Sequence, residues 1–399
     1  MTLRISTAGL YAQGLQGMLR QQQHVSRTQQ ELVSNRKLLH AADDPAAMAQ
    51  SQRLDHALSS LEQNGKNADT VGHRLRSQES ALSDVGHQLT RARELAVQAN
   101  SGALSQADRK SISDELRAIR LGVLSIANRE DGTGRRLFAG SRDGVMPFAD
   151  NGGTVAYAGD DGRNLVEIGP DLLIADTDAG SDVFMRVRTG DGTVRGSVAP
   201  GNTGTGVLQT SSVTDHAAWN GQSLRLEFTA ADAYRVVDAD GAVVSSGGYA
   251  PGDSIVAGGV QFTLTGAPAG GDAFTVQRAP NQDIFATLQG LADALEAPLG
   301  SPGDQARQSN AIGTAIGDLA TAQDHMLSVR AGTGRRLASI DGAADSRGSG
   351  EISLQESLSQ LRDVDYAEAA SRLALQLTAL DAAQKTMLRV QTLSLFDRM

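Results

Sequence analysis

"GTGRRL" occurs twice, at 132–137 and at 332–337. A glycine-rich hexapeptide ending in paired arginines invites a phosphate-binding reading, and two copies mean either two sites or two pieces of scaffold. The phosphate reading fails on spacing. The chain has no GxxxxGK followed by Ser or Thr, and neither copy leads into a lysine and a hydroxyl residue. The downstream residues separate the two copies. After the first come "FAGSRDGVMP" and a glycine-rich region, so it reads as the exit of a helix, terminated by Gly132 or Gly134. After the second, Ile340 stays in phase with the preceding stripe, so Gly332 and Gly334 are expected inside a helix, at about 1 kcal/mol each. One copy thus marks an arm leaving for a different domain, and the other a point along the returning arm.

Both arms carry helical periodicity. Tyr11, Met18, Val25, Leu32 and Leu39 recur every seven residues, with Leu15, Leu19 and Val33 close to that stripe. "HAADDPAAMAQ" breaks the pattern, and there Asp44 can cap a new helix whose first turn suits Pro45. Leu54, Leu58 and Leu61 mark the next buried face. Val71, Leu75, Gln78, Leu82, Val85, Leu89, Ala92, Ala96 and Ala99 then keep an unbroken 4-3 spacing. "NSGALS" ends that helix, and Ser105 with Asp108 resembles a capping box for a helix through Ile112, Leu116, Ile119, Val123 and Ile126. On the return, Ile312, Ile316, Leu319 and Met326 begin a stripe that Leu337 and Ile340 continue. Leu354, Leu358 and Leu361 form another after "SRGSG". Asp365 is a plausible cap with Glu368 three residues on. Tyr366, Leu373, Leu380 and Met387 finally recur every seven residues, with Leu377 alongside.

The middle is different. About half of the 44 glycines fall between 138 and 280, where there is no lysine. "SLRLEFTA", "YRVVDADGAVVSS" and "GVQFTLTG" read as short strands, with "DADG" a hairpin turn. The expected fold is α+β: a long antiparallel helical bundle or coiled coil made by the N- and C-terminal arms, with an inserted β-rich domain. Its expected parts are 1–40, a terminal helix; 41–137, the first arm of a helical rod; 138–280, the β-rich insert; 281–362, the second arm; and 363–399, a closing helix.

Composition narrows the function. The 399 residues include no cysteine, which excludes disulfides, thiolate metal sites and cysteine nucleophiles. Net charge is −10 without basic clustering, against nucleic acid, and no apolar run is long enough for a bilayer. The opening segment has neither a basic n-region nor an apolar h-region, so no Sec signal is expected. "SNRK" (34–37) matches SxxK without its companion motifs. The histidines show neither HxxxH nor HExxH spacing, and there is no GxSxG. "DTDAGSD" (176–182) resembles half a calcium loop, but Val187 stands where the bidentate carboxylate belongs, which leaves an acidic turn. No catalytic, cofactor or metal site is expected, and the chain reads as a non-enzyme. Aromatic platforms for a carbohydrate-binding module are sparse in the insert: Trp219, Tyr157, Tyr234 and Tyr249.

Together the arms resemble the flagellin superfamily of bacterial axial proteins. "MTLRISTAGLYAQGLQGMLRQQQHVSRTQQELVSNRKLLHAADDPAAMAQSQRL" looks like the family's opening helix and Asp-Asp-Pro turn. "DVDYAEAASRLALQLTALDAAQKTMLRVQTLSLFDRM" is similar to its closing Asp-Tyr…Ala helix with Leu-Ser-Leu. The Pro of "LLHAADDPAAMAQ", the "LSLFDRM" ending and "GGVQFTLTGAPAGGDAFTVQ" are more similar to junction subunits among the hook-associated proteins than to flagellin, the alternative. The resemblance implies that 1–40 pairs with 363–399 and that such pairs pack into tubes of identical subunits. Tyr11, Leu15, Met18, Val25, Leu32, Leu39, Tyr366, Leu373, Leu377, Leu380 and Met387 would form the assembly interface. It further implies the other hook–filament junction protein and flagellin as partners. Export would be unfolded, through the flagellar type III apparatus, with a cytosolic chaperone on the last helix, and the protein would work in the extracellular flagellum. The terminal helices are expected to be labile alone and ordered by neighbouring copies.

Overall fold

The computed structural model describes residues 7–101 and 104–396. The first six residues of the opening segment, Gly102 and Ala103 of "NSGALS", and the last three residues of "LSLFDRM" lie outside the described residues. Three helices come first: α1 (Thr7–Ser34), α2 (Pro45–Ala99) and α3 (Gln106–Ala127). A series of short strands comes next, and then α4 (Ile284–Glu296), α5 (Pro302–Arg362) and α6 (Tyr366–Phe396). The fold is therefore N- and C-terminal helices around a β-rich middle. Two compact units divide it, one of 1–66 with 344–399 and the other of 67–343.

In the first unit the chain reverses direction by local chemistry. Ser34 Oγ donates to the Gln30 carbonyl at 2.7 Å, and Asn35 takes a left-handed φ of 57°, a common way to leave a helix. Arg36 then bridges Asp363 as an antiparallel pair, and Lys37 N–H donates to the Arg362 carbonyl at 2.8 Å. Asp43 accepts the amides of Leu39 and His40, and Asp44 accepts those of Ala46 and Ala47 at 3.0 and 2.9 Å. Asp44 is thus the cap expected for α2, with Pro45 as its first residue. Asp365 does the same for α6, accepting from Ala367 and Glu368 at 2.9 and 3.1 Å.

The second unit has a helical core and a β sandwich. All nine positions of the 4-3 stripe from Val71 to Ala99 are buried. From Leu82 onward the apolar ones pack with Leu116 and Val123 of α3, Leu288 and Leu291 of α4, and Leu319 and Met326 of α5, whereas Val71 and Leu75 form a separate cluster with Ile168, Ile174 and Ile340. Ser105 and Asp108 form the capping box in both directions. Two ribbons lie against the helices: β1 (Phe148–Asp150) with β2 (Val155–Tyr157), and β3 (Leu165–Gly169) with β4 (Leu172–Ala175). A third, β5 (Val187–Arg188) with β14 (Asn281–Gln282), pairs the two ends of the remaining insert. Between those ends lie β6 (Val194–Val198), β7 (Val207–Val213), β8 (Leu224–Ala230), β9 (Ala233–Val237), β10 (Val243–Gly248), β11 (Ser254–Ala257), β12 (Val260–Thr265) and β13 (Ala273–Arg278). They make a five-stranded sheet, β10-β9-β8-β13-β6, and a three-stranded one, β11-β12-β7, every pair antiparallel. Leu226, Phe228, Phe262, Leu264, Phe274 and Val276 fill the space between them. The strands expected from "SLRLEFTA" and "GVQFTLTG" are β8 and β12, and "DADG" turns β9 into β10.

One expectation needs correction. The first GTGRRL does not end a helix. α3 stops at Ala127 with Asn128 as its cap, and Gly132 and Gly134 take φ of 87° and 88° in the loop beyond. Asn128 is engaged elsewhere: its side chain donates to the Phe148 carbonyl and accepts the Phe148 amide, both at 2.9 Å, which fixes the exit four residues before Gly132. The sparse aromatic side chains of the insert are engaged inside the fold, in keeping with the expectation against a carbohydrate-binding module. Trp219 is buried, with its indole N–H donating to the Gln222 carbonyl at 3.0 Å. The Tyr249 hydroxyl donates to Leu264 and Gly266 carbonyls, and that of Tyr157 to Phe138 and Asp160 carbonyls. Tyr234 packs on the sandwich core. The second GTGRRL lies within α5 as expected, and α5 also runs unbroken through "SRGSG".

Candidate assembly interface

Within the first unit α1 and α6 lie antiparallel along one another. Tyr366 Oη donates to the Leu32 carbonyl at 2.9 Å, and Gln21 Nε2 to the Gln376 carbonyl at 3.1 Å. Farther along, a Cβ placed on Gly14 would come within 3.1 Å of Met387 Sδ, so glycine there leaves room for the methionine. Glu31, buried in α1, is met by Arg27 at 3.2 Å and by Arg372 of α6 at 3.9 Å.

The heptad stripes divide into two sets. Val25 is buried, and Met18, Leu32, Leu39, Leu373, Leu380 and Met387 are half-buried. Tyr11 stays 43% exposed, Leu15 40%, Tyr366 59% and Leu377 45%. Leu19, Val33, Leu375 and Leu388 are exposed as well. The last two were not singled out from the sequence, because they fall outside the seven-residue repeat of α6 that faces α1. Pairing thus shields part of each stripe and leaves large apolar side chains of both helices exposed.

The residues that suggested chemistry are occupied structurally. Arg74 of α2 is buried and reaches Asp131 at 2.5 Å, Asp176 at 2.9 Å and the Arg136 carbonyl at 3.3 Å. Asp131 also accepts the amide and hydroxyl of Thr133, inside the first GTGRRL. Burial pushes the Asp131 carboxyl up, but Thr133 and Arg74 outweigh it and hold it below its ordinary value. For Asp176 burial wins, and its carboxyl lies above the ordinary value despite Arg74. One turn along α2, Gln78 Nε2 donates to Thr333 Oγ1, inside the second GTGRRL, and to Asp178, both at 2.8 Å. Arg336 completes that group by pairing with Asp178. The acids of "DTDAGSD" are therefore taken by arginines and Gln78, and both hexapeptides pack around the same acidic turn. Among the described residues no group of His, Asp and Glu could hold a metal ion, and no helix is long and apolar enough to cross a membrane.

Comparison with known proteins gives this geometry a context. The bacterial flagellin N-terminal helical region matches residues 5–143. The crystal structure of FlgL from Xanthomonas campestris is 42% identical, with a TM-score of 0.72, covering 77% of this chain and 99% of that one. The chain belongs to the flagellar hook-associated protein 3 (FlgL) family. Flagellar hook-associated protein 3 of Escherichia coli strain K12 is similar over 397 residues, 99% of each chain, at 24% identity. Flagellin is a more distant match: that of Bacillus subtilis strain 168 is 32% identical over 117 residues, 38% of its length. Members of the FlgL family are structural flagellar proteins of the hook–filament junction, and the full-length match separates this chain from flagellin better than the shared N-terminal arm does.

Proposed function

We propose that the α1–α6 pair is the element through which copies of this chain polymerise at the hook–filament junction, forming an adaptor on which the filament is built. The observation that supports this is the apolar surface left on helices that are already paired. Tyr11, Leu15, Leu19, Leu375, Leu377 and Leu388 face outward. Apolar side chains left exposed along two helices suit association with further helices bearing the same stripes. In this reading 1–40 and 363–399 are the assembly helices, 41–137 and 281–362 a helical rod, and 138–280 an insert turned outward. The partners are identical subunits, the other junction protein on the hook side and flagellin on the distal side. The chain reaches them unfolded through the flagellar type III apparatus, after a cytosolic chaperone has held its last helix, and it acts outside the cell.

Deleting 363–399 tests the reading. The truncated protein is expected to stay soluble, to fail to form ordered assemblies and to leave cells without anchored filaments. Cells that swim with the truncated protein as their only copy would overturn it.

A further inference from the structure

Asparagine followed by glycine occurs at 64–65, 151–152 and 220–221. Such pairs are chemically labile, because a residue without a Cβ lets its backbone nitrogen approach the neighbouring side chain. The fold treats the three very differently. Asn64 is buried within α2, where the helical backbone fixes the amide of Gly65. Asn220 is exposed, but its Oδ1 accepts the Gln222 amide at 3.2 Å, and Trp219 pins the same turn through the Gln222 carbonyl. Asn151 stands at the tip of the β1–β2 hairpin. Its N–H closes the loop to the Thr154 carbonyl at 2.8 Å, while Gly152 and Gly153 take φ of 74° and 109° with open space around both. The side chain of Asn151 is exposed, and among the described residues nothing holds its amide.

We propose that Asn151 is a site of spontaneous covalent modification in the folded protein. The backbone nitrogen of Gly152 attacks Asn151 Cγ and forms an N–Cγ bond. The bond from Cγ to the amide nitrogen breaks, and that nitrogen leaves as ammonia with the proton given up by Gly152. Water then opens the succinimide at either carbonyl, leaving aspartate or isoaspartate. Water is the only co-reactant. The consequence is local and specific. Asp150, next in the chain, accepts Arg120 of α3 at 2.7 and 3.0 Å and the Gly153 amide at 3.1 Å. A new carboxylate beside it competes for Arg120, and isoaspartate also adds a backbone atom to a short loop. Modification therefore loosens the clip that holds the hairpin on α3.

The test is peptide mapping by mass spectrometry of the full chain held at mildly alkaline pH, folded and in parallel in urea. In urea the three sites are expected to convert at similar rates, as sequence alone dictates. In the folded protein Asn151 is expected to convert at least about fivefold faster than Asn220, whose hydrogen bond must first break, and faster still than Asn64. Asn151→Gln should remove the leading product and leave conversion at the other sites unchanged. Conversion of Asn220 or Asn64 as fast as Asn151 in the folded protein would overturn the assignment. So would an Asn151 that converts in urea and not in the folded chain.

Discussion

Arg74 shows how one side chain settles the meaning of a motif. The two GTGRRL hexapeptides are identical in sequence, yet one is a loop with two glycines at positive φ and the other a stretch of α5. What they share is a place against α2, the first on Arg74 and the second on Gln78, one helical turn apart, with Asp176 and Asp178 between them. The threonines do corresponding work: Thr133 donates to Asp131, and Thr333 accepts from Gln78. None of this could be read from the hexapeptide, because its partners on α2 lie 62 and 255 residues away in the chain. A buried arginine facing two carboxylates is costly to break on one side only. Arg74→Ala is expected to destabilise the protein by about 3–5 kcal/mol, since it leaves Asp131 and Asp176 buried without their cation. Replacing all three groups at once, as R74M/D131N/D176N, should restore most of that loss in urea unfolding. A single-site loss below about 1 kcal/mol would show that the group is not a structural lock.

Helices were legible where their two signals, spacing and caps, act locally. Asp44, Asp365 and the Ser105–Asp108 box all cap as their sequences indicate, and the 4-3 stripe of α2 is buried at every position. α4 carries the same signals, although the stripes traced from the sequence begin only at Ile312: Ile284, Leu288, Leu291 and Leu295 are buried at 4-3 spacing, Asp283 caps the helix, and Gly290, Asp293 and Glu296 face water. The π-helical turn at Ser181–Met185, which buries Val183 and Phe184, is instead set by tertiary packing. Between elements, ion pairs decide how well the ribbon stays on its helix. Hydrogen bonds from Arg120 and then the Gly153 amide hold the Asp150 carboxyl down to about 2. A folded-state value below the ordinary 3.8 means that this stabilisation is complete above about pH 4 and is lost as pH falls through about 2. Asp176 and Asp318, pushed up by burial, act in the opposite sense: their contribution is present at low pH and is lost as pH rises through their folded-state values. Asp150→Asn should therefore cost on the order of 1 kcal/mol at neutral pH, a modest figure because the pair is partly open to solvent. Unfolding curves of variant and parent should converge as the pH is lowered from about 4 to about 2. A difference that stays constant across that range would show that the loss is not electrostatic.

For the molecule as a whole, the distribution of burial separates what is finished in one copy from what is not. The second unit closes three cores on itself, one among the helices, one inside the sandwich and a smaller one where Val71 and Leu75 meet Ile168, Ile174 and Ile340, and its stripe residues are shielded from water. In the first unit Val25 of α1 and Ala369 of α6 are buried, yet Tyr11, Leu15, Tyr366, Leu377 and Leu388 remain in water. Two paired helices that bury so little must offset the backbone entropy of ordering them mostly through hydrogen bonds, so their local opening should be cheap. Amide exchange measures this directly. In the dilute protein α1 and α6 are expected to exchange far faster than α2 across Val71–Ala99 or than β8 and β13. On assembly the same amides should become protected, because neighbouring copies cover the outward stripes, while protection in the sandwich stays unchanged. Leu19→Lys with Leu375→Lys places charge on two apolar side chains, one on each helix, that are more than half exposed in the pair. This pair of substitutions should leave the dilute exchange pattern as it was and abolish the gain in protection. Termini already protected in the dilute protein to the level of the second unit's core would mean that one copy completes its own fold. The exposed stripes would then have to be explained without assembly.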